Sequence, residues 1–373
     1  MNPSYPHIRG QVARQAHVAI PEGLVEEEYA RGGFSGAYAH LYRKNAPVAW
    51  SRIEGPLKPR AYDLNRVDAA TSWLAARKPL LGNTDVKLSF AKLAAPMHHF
   101  FRNADGDELL FVHQGAGRLE TDFGPLDYRR GDYLLIPRGT VYRLAPTDGS
   151  TFLVIETAGE LAEPDRGMLG QHALWDPAVI EVPTPGDNNS TLPANAQGEY
   201  ELVIQRLGEM THVFYPHNPL DVVGWKGTLS VKRLNVSDIR PVMSERYHLP
   251  PSAHSTFVAP GAIVCTFLPR ALETGDPKAM KVPFYHSNID FDEVLFYHDG
   301  EFFSRTGVGV GMLTFHPQGI HHGPQPGAVE RTANKERTNE VAVMLDTRRP
   351  LEVLSDPGLE VSDYWRSWSP KSA

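Results

Sequence analysis

Apolar and polar side chains alternate in short runs along most of this chain, the pattern of β-strands with one buried face. Val86-Lys-Leu-Ser-Phe90 is the clearest run. Leu109–Val112, Gly117–Thr121, Asp132–Ile136 and Thr151–Ile155 follow at roughly ten-residue spacing, with Gly and Pro between them. After a turn-rich stretch from Pro183 to Gly198, which includes Pro185-Gly186-Asp187-Asn188-Asn189-Ser190, the rhythm resumes. It continues through Leu229–Leu234, Ala262–Phe267, Val294–Tyr297 and Val341–Leu345. Helical periodicity is scarce, and Asp68–Ala76 is the one clear segment. The spacing predicts an antiparallel sandwich or barrel.

A repeat organises these strands. In the C-terminal half His286-x-Asn288 is followed after four residues by Glu293 and after six more by Gly300. Gly311, five residues, Pro317-x-Gly319, two residues and His322 complete the unit. The N-terminal half carries the same frame as Phe101-x-Asn103, Glu108, Gly115, then Gly131, Pro137-x-Gly139 and Tyr142. The turn residues recur, but Phe101 and Tyr142 stand where the second unit has histidines. This frame resembles the two-part signature of the cupins, small double-stranded β-barrels. The resemblance implies an all-β, mainly antiparallel protein with few helices: an N-terminal arm (1–45), a first barrel lacking metal ligands (46–185), a linker or surface loop (186–198), and a catalytic barrel with a C-terminal tail (199–373).

Composition narrows the partners. A formal net charge of −7, with no cluster of Lys and Arg, argues against nucleic acid. The lone cysteine, Cys265, cannot form an internal disulfide and reads as a core strand residue of a protein in a reducing compartment. No apolar run is long enough to span a membrane, and no signal-type apolar segment opens the chain. The expectation is a soluble, cytoplasmic protein with no membrane or nucleic-acid partner.

The candidate chemistry lies in the second unit. His286, Glu293 and His322 supply two imidazoles and one carboxylate, and such a set on one face of a metal leaves the opposite positions open. Non-heme Fe(II) enzymes use that arrangement to bind substrate and dioxygen together. Asn288 replaces the second histidine of a four-ligand site, and a carboxamide is a poor ligand for Fe(II). Strand alternation turns His321 away from His322, and sets Asp292 away from Glu293 as a surface or supporting carboxylate. His98-His99 resembles a metal pair in isolation, but neither falls on the frame position of Phe101.

A closer resemblance is to the homogentisate 1,2-dioxygenase family. It is carried by Phe34-Ser-Gly-Ala, Gly106-Asp-Glu-Leu-Leu-Phe-Val, Leu135-Ile-Pro-Arg-Gly139 and Asp221-Val-Val-Gly-Trp-Lys-Gly227. The second half adds Pro283-Phe-Tyr-His-Ser-Asn288, Glu293 and Leu313-Thr-Phe-His316 through Ile320-His-His-Gly-Pro324. The resemblance implies an Fe(2+) enzyme that uses O2 to open the ring of homogentisate to maleylacetoacetate in tyrosine breakdown, and a homo-oligomer, a trimer or dimer of trimers. It implies His286, Glu293 and His322 as metal ligands, with His322 also beside the substrate. His248, before Pro250-Pro251-Ser252, matches the family's proton acceptor, and His316 a second active-site histidine. The family has a substrate-contacting tyrosine two residues after the equivalent of Gly300, where this chain has Phe302. Tyr297 is the candidate replacement hydroxyl, and Arg305 the candidate partner for a substrate carboxylate. The expected substrate is therefore homogentisate or a close hydroquinone carboxylate. The alternatives are another metal-dependent cupin enzyme, such as an isomerase using Zn or Mn, and a non-catalytic cupin binding module.

Overall fold

The computed structural model describes residues 7–186, 189–281, 284–302 and 305–369. Strands dominate, and the two α-helices among the described residues, Trp73–Ala76 and Ala328–Thr332, are single turns. An 11-stranded sheet forms the first barrel and a six-stranded sheet forms the second, while a three-stranded sheet carries the N-terminal segment. All pairings in the first two sheets are antiparallel except Tyr200–Arg206 against Phe100–Asn103. The fold is the all-β, mainly antiparallel architecture expected from the strand rhythm, with the two barrels that the cupin-like frame implied.

Sheet membership departs from the expected boundaries. Arg60–Asp63, assigned to the first barrel by position, pairs instead with Met312–His316 in the second. Tyr200–Arg206, Glu209–Tyr215 and Lys232–Asn235 lie beyond the expected linker, yet they join the first sheet. Near the C-terminus, Glu352–Val353 returns to pair with Arg77–Gly82. Alternation states that a segment is a strand but not which edge it meets, so the sequence pattern could not reveal this exchange. The N-terminal arm is also more regular than expected. Val25–Ala30 and Tyr38–Arg43 form an antiparallel pair, and the first of them runs parallel to Tyr285–Asn288. Three consecutive glutamates, all buried in the structure, hide the alternation there.

The two faces of each barrel have different fates. Leu109 and Phe111 of the first barrel, with Val294, Phe296, Phe315 and Leu345 of the second, form one shared core between the barrels. The intervening residues face inward. In the first barrel Leu110, Val112, Leu134, Phe152 and Val154 fill that interior. In the second barrel Leu295, Tyr297, Ala342 and Met344 instead line a pocket.

Candidate metal centre

The pocket's polar end is built by three strands and one turn. Glu293 projects inward from Asp292–Asp299, directly opposite His316 on one neighbouring strand and Asp346 on the other. His286, on Tyr285–Asn288, and His322 bridge each other through their backbones: each N–H donates to the other's carbonyl, at 2.9 and 3.0 Å. Gly323 permits this close approach, because a side chain there would meet the Tyr285 backbone at 2.9 Å. The His286 Nδ1 donates to the Phe284 carbonyl at 2.8 Å, which directs its Nε2 inward. That Nε2 lies 3.5 Å from Glu293 Oε2, and the Nε2 of His322 lies 3.4 Å from the same oxygen.

This donor set fits a metal ion. Both His322 ring nitrogens and the Nε2 of His316 are buried without a hydrogen-bond partner, so the cluster holds lone pairs with no protein donor to satisfy them. One ligand atom from each of His286, Glu293 and His322 falls within 4.8 Å of the others. Burial pushes the His322 imidazole down to about 3, and the nearby His286 adds to that effect; burial also lowers His316, against the pull of Glu293. These rings are therefore neutral, as metal ligation requires. Burial works against ionisation of Glu293, but the imidazoles of His322, His286 and His316 outweigh it and hold the carboxyl well below its ordinary range. His316 is not part of the converging set. Its Nδ1 donates to Glu293 Oε1 at 2.8 Å, leaving Oε2 to face the other two imidazoles.

His248 lies in the wall of the same pocket, with His254, Phe284, Phe302, Arg270 and Arg305. Its Nδ1 donates to Glu273 Oε1 at 2.8 Å, which leaves Nε2 as the basic atom. Burial lowers the His248 pKa despite that carboxylate, so the ring is neutral and able to accept a proton. Tyr297 hydrogen-bonds to Thr314 Oγ1 at 3.0 Å and packs edge-to-face on Phe302, ring centres 4.5 Å apart. Arg305 donates to the Gly323 carbonyl at 2.7 Å and lies over Trp368. Arg270 reaches Glu340 at 3.5 Å. Sequence reasoning missed Glu273, Arg270 and Glu340; none lies in the repeated frame, and only the folded chain brings them to the pocket. Asn288 belongs to the Tyr285–Asn288 strand. His321 points away, as alternation predicted, and pairs with Glu27. Cys265 is a buried core residue. Asp292 is buried rather than exposed: it accepts the backbone N–H groups of Gln318 and Leu351 at 2.7 and 2.6 Å and so anchors two loops.

The corresponding place in the first barrel is built alike and filled differently. Phe101 pairs with Tyr142 as His286 pairs with His322, and Glu108 faces Glu156 as Glu293 faces Asp346. The Arg77 guanidinium enters this space, 2.5 Å from Glu108 and 3.0 Å from Glu156, while Tyr142 Oη donates to Glu108 at 2.9 Å. A side-chain cation thus compensates the buried carboxylates where the second barrel gathers imidazoles.

Fold and site together define a two-barrel cupin-type protein with one His-Glu-His centre inside its second barrel. A family model described as "Homogentisate 1,2-dioxygenase N-terminal" matches residues 46–233. The chain belongs to the homogentisate 1,2-dioxygenase family. It is 33% identical to a Saccharolobus solfataricus protein named "Putative dioxygenase", over 96% of this chain and 98% of that one. It is 27% identical to homogentisate 1,2-dioxygenase of Bradyrhizobium diazoefficiens, over 68% of this chain and 58% of the relative. For the enzyme of Sinorhizobium fredii the figures are 26%, 72% and 62%. The match thus spans under two thirds of the length of these homogentisate dioxygenases. Among solved structures it is similar to a cupin 2 conserved barrel domain protein of Leptotrichia buccalis, at 11% identity over 78% of this chain and 96% of that chain, with a TM-score of 0.38. No helix among the described residues is long and apolar enough to cross a membrane.

Proposed function

We propose that the protein is an Fe(II)-dependent ring-cleaving dioxygenase acting on homogentisate or a closely related hydroquinone carboxylate. The observation that carries this reading is the convergence of His286, Glu293 and His322, two of which, His286 and Glu293, line a pocket that also holds a carboxylate-oriented histidine. Iron bound by the triad supplies a centre at which a phenolate and dioxygen can be held together. The remaining work belongs to the chain's own residues. His248 Nε2 accepts the proton of the substrate hydroxyl, and Glu273 stabilises the resulting imidazolium through Nδ1. Phe284, Leu295, Phe302 and Met344 surround the ring and limit water. Arg270 and Arg305 provide cationic groups for the substrate carboxylate.

The test is an anaerobic screen of iron-loaded protein against homogentisate, gentisate and hydroquinone, followed by addition of oxygen. Oxygen uptake with a ring-opened product is expected from homogentisate or gentisate and not from plain hydroquinone. Absence of uptake with all three would overturn the reading. Within it, His248→Asn is expected to lower kcat by about 10²–10⁴-fold, the usual contribution of a general base, while leaving the metal content unchanged.

A further inference from the structure

A second cluster of histidines and glutamates stands outside the pocket, on the N-terminal strand pair. Glu26 and Glu28 project from one face of Val25–Ala30, and His40 sits directly across from Glu28 on Tyr38–Arg43. His17 reaches the same face from the preceding segment. Ligand atoms of His17, Glu26 and His40 fall within 4.8 Å of one another, the same closeness found in the His286-Glu293-His322 group. The correspondence extends to individual distances. Glu28 Oε2 lies 3.4 Å from His17 Nε2 and 3.6 Å from His40 Nε2. Glu293 Oε2 lies 3.5 and 3.4 Å from its two imidazole nitrogens. Separations of roughly 3.3–3.5 Å are those between neighbouring ligands on a tetrahedral ion bound at about 2.0–2.1 Å.

Two further observations point to a ligand at this place. His17 is only 4% exposed, and its Nδ1 has no protein hydrogen-bond partner, although Glu26 Oε1 is 2.6 Å away. The Nε2 of His40 is likewise buried without a partner. Glu26 accepts from Tyr42 Oη and from the His17 backbone N–H, but among the described residues neither Glu26 nor Glu28 has a lysine or arginine in its ion pairs, so imidazoles alone supply their counter-charge. Buried carboxylates require a compensating cation or strong donors. Their neighbour Glu27, on the opposite face, has both Arg43 and His321.

We propose that His17, Glu26, Glu28 and His40 form a second binding site for a divalent transition-metal ion of the Zn2+ type, distinct from the pocket centre. Mixed imidazole and carboxylate donors suit that class of ion. The site holds the N-terminal strand pair against the catalytic strand. Val25–Ala30 runs parallel to Tyr285–Asn288 with Glu28 in register with His286. The His17 ring stacks on Phe284 at 4.1 Å, and Phe284 supplies the carbonyl that orients His286. An ion here therefore acts as a clamp on the backbone that positions one pocket ligand.

The proposal does not depend on the reaction assigned to the pocket, and metal counting tests it directly. Full-length protein stripped of metal, re-equilibrated with Zn2+ and desalted should retain two equivalents per chain. His40→Gln and His286→Ala should each retain one, and the double variant none. Anomalous diffraction at the zinc edge from the unsubstituted protein should show a peak between His17 and His40, a readout that needs no variant to fold. A single equivalent in the unsubstituted protein that His286→Ala abolishes would overturn the proposal. So would two equivalents that survive His40→Gln, or no anomalous peak at His17.

Discussion

At the residue scale, two barrels with one frame differ by what occupies the space beside the glutamate that both carry at the same frame position. Glu293 meets imidazoles and Glu108 meets a guanidinium. Glu293→Gln is expected to remove the pocket metal, measured by metal analysis, whereas Glu108→Gln should leave the pocket metal content unchanged. Arg77→Met is expected to destabilise the protein by about 3–5 kcal/mol in urea unfolding, the range for breaking a buried ion pair from one side. The cause is that Glu108 and Glu156 would stay buried without their shared cation. The contrast also marks what could be read in advance. His286, Glu293 and His322 were legible because their spacing repeats around glycines and prolines that have their own backbone reasons to recur. Arg77 was not legible: it lies 31 residues before Glu108 in a segment with no motif. Glu273, which sits 25 residues after His248, was hidden for the same reason.

At the element scale, the repeat is a repeat of turns before it is a repeat of side chains. Asp107 accepts the backbone N–H of Arg138 at 2.8 Å, and Asp292 accepts that of Gln318 at 2.7 Å. In both halves the carboxylate fixes the turn that begins at the frame proline. Gly115, at a register irregularity within Asp107–Thr121, and Gly300, just after Asp292–Asp299, have φ of +91° and +88°. A Cβ on Gly300 would lie 2.1 Å from the Asn339 carbonyl oxygen, and one on Gly115 would lie 2.4 Å from that of Gly149. Gly300→Ala is therefore expected to cost at least the ~1–3 kcal/mol of a strained left-handed residue, with the collision added, and to lower the thermal midpoint. Turn chemistry of this kind is written locally, so the frame was readable from the sequence. The strand exchange was not, because pairing between Arg60–Asp63 and Met312–His316 depends on complementary edges some 250 residues apart, to which alternation is blind.

At the scale of the whole molecule, the shared core between the barrels contains one polar contact with a consequence for acid stability. His113 of the first barrel and His298 of the second hydrogen-bond through their Nδ1 atoms at 2.9 Å, surrounded by Phe90, Phe111 and Phe296. Burial pushes His113 down to about 4, with the positive charge of Arg130 assisting and Asp299 opposing. It pushes His298 down to about 3, where His113 adds to the effect. In the unfolded chain both rings titrate near the ordinary 6.5, so between that pH and about 4 the unfolded state binds protons that the folded state refuses. The sign follows: their contribution is complete above pH 6.5 and is lost as the pH falls, until the folded rings also protonate near 4 and 3. One such ring contributes a loss of about 2 kcal/mol between pH 7 and pH 5, from 1.36 kcal/mol per pH unit. His113→Gln should lose less stability across that interval than the unsubstituted protein, by about this amount, in urea unfolding at the two pH values. The other buried histidines, including His99, His254 and His322, titrate in both proteins and cancel in the difference. An equal loss in both proteins would place the acid sensitivity elsewhere, because the contact between the barrels would then not be the group that excludes the proton.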